Sequence, residues 1–315
     1  MRLRLLSVVL AAVVVAGCSN GAEDEASTIV RTTTTIAGAG VVGLERDTRK
    51  ACPTPAPAEG TVDPKRIVVL STQALDTVCA LGLWERVVGA ATLERPTPQP
   101  SYLGTGIAAI PSIGPLGAPD AAKVAALQPD LVLGSTPVPG FDKAVFAGAD
   151  GNWQQQVQRL GAALGRSKAI DAALADYRKL AADTGAAVTA GTTQASVVRF
   201  APGSIRVLGS DSFAGQVLTD VGVQRPAHQR GTSFELPEND LKRAEGDLTY
   251  VVLVGEAGKE YGTKVMKGNR WQDLGVATDR RVFAVEAPIW EGNALVAARA
   301  LVADLKDSLN AYVTG

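Results

Sequence analysis

Apolar positions recur at helical spacing across residues 152–190, and this stretch divides the chain. Trp153, Val157, Leu160 and Leu164 form one stripe, preceded by Asn152 as an N-cap and Gln155 as its capping-box partner. Gly165 stops that helix, and Ser167 offers a cap for a second one. There Ile170, Leu174, Tyr177 and Ala181 share a face, with Asp171, Asp176, Arg178 and Lys179 off it. A helix of about twenty residues spans roughly 30 Å. On either side the pattern changes to short apolar runs that end in small polar residues and alternate with helical segments. Ile67–Leu70 ends at Ser71-Thr72-Gln73 and is followed by the helical Leu75, Val78, Cys79 and Leu81. Val87-Val88-Gly89 predicts a second strand, and Ala121–Leu127, Gln128-Pro129-Asp130 and Leu131–Leu133 predict helix, turn and strand. The second half echoes the first. Ser196–Phe200 and Ile205–Leu208 read as a hairpin, Gln216–Val221 as a helix, and 241–254 as helix, turn and strand. A last strand at Val282–Val285 precedes a helix over Ala294–Tyr312. Strand–helix alternation predicts parallel sheets covered by helices. The fold expected is α/β, with two Rossmann-like lobes (61–166 and 191–315) joined by one long helix (167–190). The other reading is a single large sheet with an ordinary crossover helix. Two lobes leave a cleft, and in parallel sheets ligands bind beyond the carboxyl ends of the strands.

The start of the chain sets the compartment. Residues 1–18 read as an export signal, with Arg2 and Arg4 before the apolar run Leu5–Ala16, which is shorter than a membrane-spanning helix requires. Val15-Ala16-Gly17-Cys18 resembles the bacterial lipoprotein cleavage box, which implies lipid on Cys18 and anchoring at the outer face of the cell membrane. Residues 19–60, with the run Thr32–Thr35 and Pro53, Pro55 and Pro57, lack periodicity and read as a flexible tether. The formal charge of −1 becomes −3 without Arg2 and Arg4, so nothing points to nucleic acid. Cys52 and Cys79 remain. In an exported protein they are expected to form a disulfide worth about 3 kcal/mol; the other reading is a free, buried Cys79 thiol.

The order and spacing of several segments resemble the periplasmic binding proteins for iron-siderophores, haem and cobalamin. These segments are Arg66–Ser71 with Ala80-Leu81-Gly82, Ala126–Leu133, Phe213–Leu218 with Asp220-Val221-Gly222, and Arg281–Val285 with Trp290. The anchor and the Trp153–Gln156 helix start are most similar to actinobacterial FecB-like iron-uptake lipoproteins. The resemblance covers about 62–313 and implies a class III substrate-binding protein that acts as a monomer. Such a protein captures an iron chelate for an ABC permease, with no catalytic residues, metal site or cofactor of its own. Ligand contacts are expected from Thr72, Gln73, Arg95, Tyr102, Trp153, Arg199, Phe213, Trp290 and Glu291, because arginines pair with oxygen-rich chelates and aromatics cover their flat faces. Arg199 interrupts an apolar strand and needs a partner there. Phe213 stands where catecholate-binding members commonly carry arginine, which suits a more apolar chelate. Ala122 and Asn239 stand where importer-coupled members present glutamates to the permease; Asp120 and Glu238 are the neighbouring acids. Haem would draw on His228, Tyr102 or Tyr261, and cobalamin remains open on the same fold. Two readings of another class are a serine hydrolase using Ser212 and His228, without the Gly-x-Ser-x-Gly elbow, and an envelope interaction protein without a transporter.

Overall fold

The structure, a computed structural model, describes residues 34–49, 51–93, 98–148 and 152–314. The chain opens with β1 (Thr35–Ile36) and β2 (Ala39–Val41), an antiparallel pair turned by Ala37 and Gly38 at φ 48° and 90°. Positive φ at both central residues is what a tight two-residue hairpin needs. The first lobe follows as β3 (Ile67–Val69), α1 (Thr72–Ala80), β4 (Val87–Thr92), α2 (Thr105–Ala108), β5 (Ser112–Pro115), α3 (Ala121–Ala126), β6 (Leu131–Gly134) and β7 (Val145–Phe146). Its five strands are all parallel, in the order β5-β4-β3-β6-β7. The direction of winding reverses between β3 and β6, where parallel sheets open a crevice at their carboxyl ends. Ser71 lies there and caps α1 by accepting from the Ala74 amide.

Two helices lead to the second lobe. α4 (Trp153–Ala163) carries the capping box of Asn152 and Gln155 that the sequence predicts. α5 (Ser167–Ala187) has 21 residues, and Ile170, Leu174, Tyr177 and Ala181 are its buried stripe. Its first amides are capped from a distance, not by Ser167: the Glu59 carboxylate accepts from Lys168 N at 2.7 Å and Ala169 N at 3.2 Å.

The second lobe comprises β8 (Ala195–Ala201), β9 (Ser204–Val207), α6 (Phe213–Val221), β10 (Phe234–Glu235), β11 (Leu248–Leu253), α7 (Gly255–Lys267), α8 (Asn269–Gln272), α9 (Gly275–Thr278), β12 (Val282–Glu286), α10 (Ala287–Trp290) and α11 (Leu295–Thr314). Its sheet runs β1-β2-β12-β11-β8-β9-β10. β2, β12, β11 and β8 are mutually parallel, and antiparallel strands finish both edges. The two sheets are separate, so the fold is two α/β lobes joined by a long helix, and the single-sheet reading falls. The lobes nevertheless share a core. One apolar cluster runs from Ile67, Leu75 and Leu160 through Tyr177 to Val217, Tyr250 and Leu301. α11 packs on α1, α5 and α6, so the C-terminal helix belongs to both lobes.

One expectation is corrected. The stretch 19–60 is not a free tether where it is described. β2 joins the second sheet beside β12, Cys52 is bridged to Cys79, and the Ala56 amide donates to Leu81 O at 2.9 Å. Asp63, just beyond, accepts from Arg86 and from the fully buried Arg166 at the turn between α4 and α5. A strand of three residues is too short to show a period, and its pairing is supplied by the exposed edge of β12.

Candidate functional site

The ends of five parallel strands meet at one cleft. From the first lobe come Thr72 after β3 and Leu93 after β4, with Ser101 beside them. The second lobe supplies Leu253–Ala257 and Lys259 around the end of β11 and the start of α7, then Ala284–Pro288 and Glu291 from β12 and α10. The opening strands add Ile36, Val41 and Val42. The cavity they enclose is about 830 Å³, within the range that small-molecule sites occupy. A second depression, about 640 Å³, lies along α4 and α5 near Gln155, Gln158 and Asp171. It gathers no strand ends and is open along one helix pair, so it is not the candidate.

The lining is aliphatic with a few charges. Among the described residues, Arg199, Arg46 and Lys259 near it each have an acidic partner. Arg199 Nε donates to Glu291 Oε1 at 2.5 Å, both side chains being about 30% exposed. Arg46 donates to Glu286 Oε1 at 2.8 Å and also meets Asp304. Glu286 Oε2 accepts from the Ser101 hydroxyl at 3.0 Å, a contact between the lobes at the cleft. Lys259 lies 4.0 Å from Glu256 on the first turn of α7.

The residues expected to touch ligand divide into two groups. Thr72 and Glu291 line the cleft, and Arg199 stands behind Glu291. Arg95 lies outside the described residues, as does Cys18. The other five, expected above as ligand contacts, are buried and do not line this cavity. Gln73 is 4% exposed, and its amide donates to Gln156 Oε1 at 2.8 Å and to Asn293 O at 2.7 Å, holding α1 to α4 and to the residues before α11. The Tyr102 hydroxyl donates to Asp76 at 3.0 Å within the core. Trp153 stands edge-on to Tyr177 and Phe213, with centroids 5.1 and 5.6 Å away, so the three rings pack α4, α5 and α6 together. Trp290 is fully buried against Tyr250, and its Nε1 donates to Asp304 at 3.0 Å. Large aromatics gain most from burial, and here helix crossings take them from the rim.

The alternative chemistries find their residues otherwise engaged. Ser212 caps α6, donating to Gly209 O at 2.7 Å and accepting from Gly215 N at 3.0 Å, while His228 Nε2 is 3.0 Å from Arg243 O. Tyr261 donates to Glu238 at 2.6 Å, and Asp120 accepts from Ala122 N and Lys123 N at the start of α3. Both acids are exposed, one on each lobe. Sequence reasoning missed Ile36, Val41, Val42 and Glu286. The only signal for the first three was β-branched residues flanking two successive Ala-Gly pairs.

Comparison with known proteins agrees with this fold. The probable siderophore-binding lipoprotein YfiY of Bacillus subtilis (strain 168) is 25% identical over 262 residues, 74% of this chain and 80% of that protein. The achromobactin-binding periplasmic protein of Dickeya dadantii (strain 3937) is 23% identical over 269 residues, 75% and 83% of the two chains. The crystal structure of Staphylococcus aureus SirA complexed with staphyloferrin B superposes with a TM-score of 0.68 at 22% identity, covering 81% of this chain and 95% of that one. Residues 67–287 match the family model described as periplasmic binding protein. The chain belongs to the periplasmic binding protein family.

Proposed function

We propose that this chain is a lipid-anchored, extracytoplasmic protein that captures a ferric siderophore between its lobes and delivers it to an ABC permease. It does so as a monomer and performs no chemistry on the ligand. The observation that carries the reading is the cleft itself, where strand ends of both lobes enclose about 830 Å³ of largely aliphatic surface with charged groups at fixed points. A relative named for siderophore binding, a second named for binding achromobactin, and the likeness to SirA complexed with staphyloferrin B support an iron chelate as the occupant. The anchor is Cys18, and the exposed Asp120 and Glu238 offer one acid per lobe to the permease.

Titration with ferrioxamine B, a ferric tricatecholate, ferric staphyloferrin B, haem and cobalamin tests this, read by tryptophan fluorescence and calorimetry. At least one ferric chelate is expected to bind in the micromolar range or tighter. Binding of haem or cobalamin alone overturns the reading. Arg199→Ala, which leaves Glu291 without its cation, is expected to weaken that chelate by about tenfold or more while the protein stays folded. Full affinity in the variant removes Arg199 from the site.

A further inference from the structure

The opening segment of the described chain is built into the cleft. β2 pairs in parallel with β12, Phe283 facing Gly40 and Ala284 facing Val41, and the Val42 amide donates to Ala284 O at 3.0 Å. β2 therefore emerges on the same side of the sheet as β11 and β12, the side on which parallel strands present ligand sites. Ile36 and Val41 lie on one face of the hairpin, packed against the second-lobe core, and both line the cavity. Beyond the strand, Arg46 fixes the segment a second time by bridging Glu286 and the buried Asp304. Ordered strand pairing on one side and a largely buried ion pair on the other make this a constructed wall, and its contribution to the lining is wholly aliphatic.

We infer that residues 35–46 form an integral wall of the ligand site, with Ile36 and Val41 holding an aliphatic portion of the bound iron chelate. The inference rests on the function proposed above and adds the part of the ligand that this wall selects. A polar or charged ligand arm placed there would lose water without gaining a donor or acceptor, whereas an alkyl arm gains by burial.

The experiment uses the full chain and a series of ferrioxamine B derivatives N-acylated with alkyl chains of increasing length, titrated against the parent, Ile36→Ser and Val41→Ser. In the parent, affinity rises with chain length by up to about fourfold per methylene buried. In the variants that rise flattens to less than about twofold per methylene, the slope along the series being the readout whatever the affinity of ferrioxamine B itself. Melting temperatures check that each variant is folded. Should Val41→Ser fail to fold, Ile36→Ser, on the edge strand, gives the same readout. Three results overturn the inference and leave the function reading standing: a parent whose affinity does not depend on chain length, variants that keep the parent's slope, and a parent that binds other ferric chelates but none of the series. A parent that binds no ferric chelate overturns the function reading, and this inference with it.

Discussion

Asp76 accepts from three donors at once, the Val296 and Ala297 amides and the Tyr102 hydroxyl, and so caps α11 from α1 in the other lobe. Burial pushes its carboxyl up to about 6, against partial relief from those three donors and from the more distant Arg299. A carboxyl with a higher pKa folded than unfolded holds its proton more tightly in the native state. Its contribution is therefore full below about pH 4 and is lost as pH rises to about 6, on the order of 3 kcal/mol for a two-unit shift. Calorimetric scans of the parent and Asp76→Asn at several pH values are expected to differ in slope across that window. Parallel curves would show that Asp76 titrates as an ordinary carboxyl. Arg199 was legible as a cation needing a partner because it breaks an apolar strand, and Glu291 supplies one. Tyr102, Trp153, Phe213 and Trp290 were not, because the same sequence neighbourhood suits an aromatic at a rim or beneath it, and only the helix crossings decide.

Among the elements, α5 was the most legible, since four apolar residues at regular spacing leave one face to bury. Its cap was not, because Glu59 lies more than a hundred residues away and no local pattern announces it. The same asymmetry governs Gly185. Glycine inside a helix costs about 1 kcal/mol relative to alanine, yet a Cβ here would lie 1.9 Å from Val221 O on α6. The clash outweighs the propensity gain, so Gly185→Ala is expected to lower stability by about 2 kcal/mol or more in denaturant unfolding. A stabilised variant would mean that α5 and α6 separate easily. β1 and β2 escaped the sequence reading for the reason that makes them stable: strands of two and three residues take their register from the neighbouring strand rather than from their own pattern.

At the scale of the molecule, the two-lobe architecture follows from the echo between halves, and the joint core does not. The cluster running from Ile67 to Leu301, with Gln73, Asp76 and the Ser101–Glu286 contact bridging the lobes, opposes wide hinge opening. Small-angle scattering is expected to show the radius of gyration changing by less than about 1 Å when a ferric chelate binds. A larger contraction would show that the core yields.

The placement of β2 also fixes how far the cleft can stand from the membrane. With lipid on Cys18, as proposed, fifteen residues lie between the anchor and Thr34, the first described residue. However those residues are arranged, they reach at most about 55 Å. A binding site leashed that closely meets any transporter in the same patch of bilayer at an effective concentration in the millimolar range. Even a weak affinity between the two would then suffice for delivery.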